Sequence, residues 1–327
     1  VVTKIIKDNL AEDGSRYGTQ KVLVKMTTGT YKGKEKQAIN PSGTLFGADC
    51  KVGARIIVIV NKSGTNTGFT VYSQDRTMAI YGFVLIFAAV VCAIGGKKGV
   101  YAILSLVFAF ACIIGIMFPM MYRGISPIVL TIIVAVLTTI VTLGLLGGYS
   151  SKTVSAILGT AIGVVIAAVA AMAFGKAAGI TGYNVSDIEA LNYVGQNTKI
   201  KIGELLFAGI IISALGAVMD VGMSIASTIQ EIYETDKTLS MKRLFVSGIN
   251  VGRDMMGTMT NTLIFAYVGG AMTTLVINYA YDLSYRQLAN SYVIGIEIMQ
   301  GLSGSLGVVL TVPITALIAS FLAVRKK

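Results

Sequence analysis

The sequence predicts an α-helical polytopic membrane protein of about seven spans, with a small all-β, barrel-like domain at its N-terminus. Three observations carry this. Hydrophobic residues make up 54% of the 327 positions and charged residues 13%, too little polar surface to keep a globule in solution. From Met78 onward the chain divides into apolar runs, each near the ~20 residues a helix needs to cross ~30 Å of hydrocarbon. Residues 1–76 lack such runs and alternate in strand fashion.

The N-terminal segment, 1–76, reads as about five short strands, among them the alternation Lys21, Val22, Leu23, Val24, Lys25 and the run "ARIIVIV" at 54–60. Thr28, Gly29 and Thr30 read as a turn, and Asn40, Pro41, Ser42 and Gly43 as a loop. An OB- or SH3-like barrel is expected. The chain starts at Val1 directly in strand-like sequence, so a membrane anchor is expected upstream, giving eight spans with both termini inside.

The transmembrane domain, 77–327, carries expected spans at about 78–95, 100–120, 127–147, 154–174, 204–225, 255–277 and 303–323. Lys97, Lys98, Lys152, Lys237, Lys242, Arg243, Arg253, Arg325, Lys326 and Lys327 fall on one side, and Arg123, Lys176, Lys199, Lys201 and Arg286 on the other. The excess puts the first set and the C-terminus in the cytoplasm and the β domain outside. Much of the net charge of +11 is thereby topology; the basic surplus before residue 77 would suit anionic headgroups or polymers, or be a solvated surface.

The fourth span carries small residues at every fourth position: Ser155, Gly159, Gly163, Ala167, Ala171 and Gly175. Such a stripe lets backbones approach closely, either within one bundle or between copies. The last 34 apolar positions, 291–324, are too long for one ordinary crossing, and a break is expected at "GLSGSLG", 301–307. That would leave Glu297 and Gln300 on a preceding interfacial or re-entrant piece.

Two spans carry polar lines. Ser213, Gly216, Asp220, Ser224, Ser227 and Glu231 share one face of the fifth, with Asp220 about one turn inside the cytoplasmic boundary. Asn250, Asp254, Gly257 and Asn261 share one face of the next. An intramembrane acid needs a partner or water, so the two faces are expected to meet, with Asp220 pairing with Arg253 or sharing a wet cleft. Alternatively, Asp254 only complements the helix N-terminus, Arg253 snorkels to headgroups and Asn261 binds helices together. The segment "LSMKRLFVSGINVGRDMM", with Met241, Leu244, Phe245 and Val251, reads as an amphipathic helix on the inner leaflet.

Several chemistries are excluded. There is no histidine, so the string Gly301, Leu302, Ser303, Gly304 cannot serve a Ser-His dyad. Asp282 and Asp220 are expected at opposite faces of the membrane and cannot share a proton. No phosphate-binding or dinucleotide string occurs, and the three cysteines are scattered. Neither an enzyme, nor a metal site, nor a cofactor is expected.

At "GAVMDVGMSIAS", "GINVGRDMMGTMTNTLIFAY" and "SLSGSLGVVLTVPITAL" the sequence resembles the YibE/F-like family of bacterial multi-span membrane proteins. The resemblance extends to "TGTYKGK" in the β region, and implies an N-terminal anchor and a Gram-positive-like bacterial cell membrane. It carries over Asp220, Asn250, Arg253, Asp254, Thr258, Asn261 and Pro313 as positions typical of the family. A fainter similarity links "VMDVGMSIASTIQEIYE" to half-units of resistance-nodulation-division and SecF-type transporters, although here four spans, not two, precede the acid-bearing helix.

The expected function is a permease or exporter, ion- or proton-coupled, whose pathway lies between the fifth and sixth spans and uses Asp220, Ser224, Asn250, Arg253, Asp254, Asn261 and Glu297, with Gly159, Gly163 and Ala167 packing helices. The alternative is a non-transporting scaffold or sensor that binds an extracytoplasmic ligand through the β domain. The expected partners are the bilayer and a second copy or a related membrane protein, not nucleic acid.

Overall fold

A computed structural model describes residues 1–9, 18–41, 48–63, 66–185 and 187–325. Ser42 and Gly43 of the expected loop, and Lys326 and Lys327 of the cytoplasmic set, lie outside the described residues. The chain divides into two compact units, Val1–Val90 and Val91–Lys327.

In the first unit five strands form one mixed sheet in the order β1-β2-β3-β5-β4: β1 Val2–Lys7, β2 Gln20–Lys25, β3 Glu35–Asn40, β4 Ile56–Ser63 and β5 Asn66–Gln74. β3 and β5 pair in parallel at Ile39 and Thr70, and the other neighbours are antiparallel. The sheet is open, which corrects the expectation of a closed barrel. Val2 still bonds the run ahead of β4, donating to the Ala54 carbonyl at 3.0 Å and accepting from the Gly53 N–H at 2.9 Å, but no ladder follows. Alternation puts Val22, Val24, Ala38, Phe69 and Val71 in the core. Gln20 and Asn40 are also buried, and satisfy each other: Asn40 Nδ2 donates to Gln20 Oε1 at 2.9 Å, and Gln20 Nε2 to the Cys50 carbonyl at 3.1 Å. The expected turn forms, with Gly29 at φ 76°.

The sheet leads into α1, Thr77–Cys112. Asp75 accepts the Thr77 N–H at 3.0 Å, and its bonds with the Thr77 side chain and backbone hold its carboxyl below the usual range. That contribution is present above the ordinary carboxylate pKa and fades as pH falls through the lowered value. The helix breaks at Gly96, whose φ of 54° and ψ of −131° only glycine tolerates readily. Gly99 packs so closely on the Val91 carbonyl that no side chain fits there.

The second unit continues through a π turn, Ile113–Met117, into α2 (Phe118–Tyr122), α3 (Pro127–Gly147), α4 (Ser151–Ala178), α5 (Ile188–Asn197), α6 (Leu205–Thr235), α7 (Met241–Gly270), α8 (Met272–Ala280), α9 (Tyr285–Ala289) and α10 (Tyr292–Val324). Ser126 starts α3 as its N-cap and also hydrogen-bonds Glu204 ahead of α6. Among the described residues, five helical runs are long and apolar enough to cross a membrane, or six if α7 and α8, bent by 59°, count as one. The chain is a multi-pass membrane protein.

Helices α4, α6, α7 and α10 form the packed centre, with α3 alongside α4 and α6. The small-residue stripe of α4 lies in this centre and serves packing within the chain: Gly159 faces Thr315, and Gly163 faces Thr311 and Val218. Gly222 of α6 receives Thr160, so that a Cβ there would stand 2.9 Å from Oγ1. Ala167 is fully buried beside Gly307.

Two expectations need correction here. α10 is one continuous helix, not broken at 301–307. Its Gly301, Ser303, Gly304, Ser305 and Gly307 are all buried, and the small residues serve close approach, with Gly304 on Ala214 and Gly307 on Ala167 and Gly163. The inner-leaflet helix is likewise not separate. Residues 241–254 are the first half of α7, and Leu244 is completely buried in the core because Gly248 and Gly252 let α7 settle onto Ile229, Ala316 and Val312.

Overpacking these notches should unfold the bundle. Gly163→Ala is expected to cost about 1–3 kcal/mol, or more if Thr311 cannot move. Gly216→Ala, which meets nothing within 4 Å, should be neutral or slightly stabilising. Thermal unfolding of both variants in detergent checks this.

Candidate functional site

The polar residues singled out above sit on α6 and α7, which pack antiparallel. Gly248 meets Ile229 near one end, and Leu263 and Ala214 converge on Gly304 toward the other. The buried cluster that both helices share with α3, α4 and α10 is apolar, with Val218, Val221, Ile225 and Ile229 from α6 and Leu244, Met256, Met259 and Leu263 from α7. The rotation of α7 follows from its glycines: once Gly248 and Gly252 face inward, residues two and five positions away face out.

The two polar lines therefore do not meet. Ser213, Gly216 and Asp220 are exposed, with Ser224 and Ser227 half-buried at the margin, on the side of α6 opposite its core. Asn250, Arg253, Asp254, Gly257, Thr258 and Asn261 are exposed on the side of α7 opposite its core. Among the described residues neither Asp220 nor Arg253 has a hydrogen-bond or ion-pair partner, so the expected pair does not form. The error has a physical source. A helical repeat shows that residues share a face, but which face turns inward is decided by the best close-packing surface, and here glycines supply it.

Asp220 lies midway along Leu205–Thr235, about 22 Å from either end of the helix at 1.5 Å per residue. Asp254 lies about 20 Å into α7 on the same measure. An ionised group on such a helix is costly wherever it faces lipid.

Two clefts adjoin these faces. One, of about 440 Å³, lies between the later part of α1, α3 and α6, lined by Ser105, Leu106, Thr138, Thr142, Leu215 and Gly216. Asp220 follows one turn beyond Gly216 on the same face. The other, of about 260 Å³, lies between α7, α8 and α10, lined by Ile264, Tyr267, Glu297, Gly301 and Leu302 among others. Glu297 is half-buried there, on the continuous α10 and not on a re-entrant piece.

Tyr267 escaped the sequence reading. Its hydroxyl donates to Ser213 Oγ at 2.9 Å, a direct polar link between α6 and α7, and its ring lies 3.6 Å from where a Gly301 Cβ would be. A tyrosine in an apolar run carries no periodic signal, and only the antiparallel pairing brings it to Ser213. Among the described residues no group of three or more Cys, Asp or Glu could hold a metal ion.

Residues 83–325 match the family described as YibE/F-like protein. No curated protein and no solved structure matches the chain.

The Tyr267 bond yields a prediction. Tyr267→Phe should destabilise by about 0.5–1.5 kcal/mol, with Ser213→Ala adding little in the double variant because both remove one bond. Thermal unfolding of the two singles and the double reads this.

Proposed function

The chain belongs to the YibE/F-like family, and we propose that it is a permease or exporter of the bacterial cell membrane that moves a solute with ion or proton coupling. The observation that carries this reading is Asp220: a carboxylate midway along a membrane helix, unpaired among the described residues, on an open face that continues through Gly216 to Ser213. An acid on a membrane span is a functional candidate by default. The route follows the outward polar face of α6, since the buried cluster that α6 and α7 share with their neighbours is apolar. Glu297 lines the second cleft with Tyr267, an acid in an otherwise largely apolar lining.

In this reading the break at Gly96 divides Thr77–Tyr122 into two spans, which with α3, α4, α6, the α7–α8 pair and α10 makes seven. The distribution of Lys and Arg then places the C-terminus in the cytoplasm and the β unit outside.

A second reading has one observation in its favour. The β unit holds a polar cleft of about 450 Å³, lined by Lys25, Thr27, Thr28, Thr30 and Lys62 among others, which would suit an anionic or hydroxyl-rich ligand of a sensor.

Proteoliposomes with a trapped pH-sensitive dye and an imposed proton gradient separate the two. Asp220→Asn should slow dye-reported proton movement by about tenfold or more if the carboxylate carries protons, while leaving the protein folded. Equal rates for both proteins would favour the sensor reading.

A further inference from the structure

The outward face of α7 carries a line of exposed polar residues. Asn250, Asp254, Gly257 and Asn261 are spaced by four, three and four residues, the spacing of a two-helix seam, and all are exposed. Neither asparagine has a hydrogen-bond partner among the described residues. Where α7 crosses the hydrocarbon, acyl chains cannot satisfy exposed amides and a carboxylate, whereas a second polar helix face can.

We infer that this face pairs with the same face of a second copy, α7 against α7, about a two-fold axis along the membrane normal. The charges select this occupant. A two-fold axis in that direction brings residues of equal depth together and runs the helices parallel. In a parallel seam with this spacing, Asp254 enters the hole formed by the partner's Asn250, the partner's Arg253, the partner's Asp254 and the partner's Gly257. Arg253 immediately precedes Asp254 and flanks the seam, so each aspartate meets the partner's Arg253, and the contact is made twice by symmetry. The asparagines then bond across the axis, and Gly257, with nothing within 4 Å of a built Cβ, marks the closest approach. The inference does not depend on transport, and it leaves the Asp220 face of α6 open beside the dimer seam.

Disulfide trapping in the full chain, reconstituted in phospholipid vesicles with Cys50, Cys92 and Cys112 replaced by alanine, tests it. Gly257→Cys should form covalent dimers on mild oxidation in several-fold higher yield than Leu310→Cys, an exposed position on α10. Adding Arg253→Asp, which sets four carboxylates around the seam, should cut the yield by about tenfold. Adding Arg253→Asp with Asp254→Arg should restore it. The inference is overturned if Gly257→Cys traps no better than Leu310→Cys, or if the exchanged pair traps no better than Arg253→Asp alone. Should Arg253→Asp fail to fold, the comparison of Gly257→Cys with Leu310→Cys still decides. Because the readout is covalent dimer, its failure would leave the proton-movement result for Asp220 untouched.

Discussion

Glycine notches filled by side chains from the facing helix fix the second unit. Gly159 takes Thr315, Gly163 takes Thr311, Gly222 takes Thr160 and Gly252 takes Val312. In lipid there is no hydrophobic gain from bringing two helices together, so contact area and backbone approach decide which surfaces pair. Each notch admits one helix rotation, and a Cβ would collide. The orientation of everything else on α4, α6, α7 and α10 follows.

The first thing to follow is where the polarity goes. With Gly222 turned toward α4 and with Gly248 and Gly252 turned toward α6 and α10, the polar lines through Asp220 and Asp254 are directed outward. Packing and polarity thus compete for opposite sides of the same helices. The chain spends its small residues inside and presents its carboxylates and amides to whatever lies beyond, be it water, solute or a second copy. The interior hydroxyls support this division. Thr138 and Thr139 bond carbonyls of their own helix, and Thr160, Thr315 and Ser320 have no partner among the described residues, so they fill space rather than form a polar route.

Much of the architecture was legible in the sequence because it rests on length and composition. The spans at 127–147 and 154–174 agree with α3 and α4, and the change from alternation to apolar runs near residue 77 marks where α1 begins. The five strands were legible from alternation, but the open edge of the sheet was not, since closure depends on register between distant strands. "GLSGSLG" shows the limit most clearly. In solution that composition breaks a helix, whereas between membrane helices the same residues are what close packing requires, and α10 runs through them unbroken. For the candidate site, the sequence identified which residues share a face but not which way the face turns, because the deciding glycines lie on the other side and their partners on other helices. Tyr267 was invisible for the same reason, as its bond joins residues 54 positions apart.

The most direct test of this account is a double-mutant cycle on one notch, Gly159 and Thr315, read by thermal unfolding in detergent. Thr315→Ala should cost less than Gly159→Ala, because its buried hydroxyl has no partner among the described residues and only packing atoms are lost. Gly159→Ala should be strongly destabilising, and the double variant should recover a large part of that loss, a coupling of about 1 kcal/mol or more. Strictly additive effects would mean that Thr315 does not fill the Gly159 notch, and the helix rotations that point Asp220 and Asp254 outward would lose their cause.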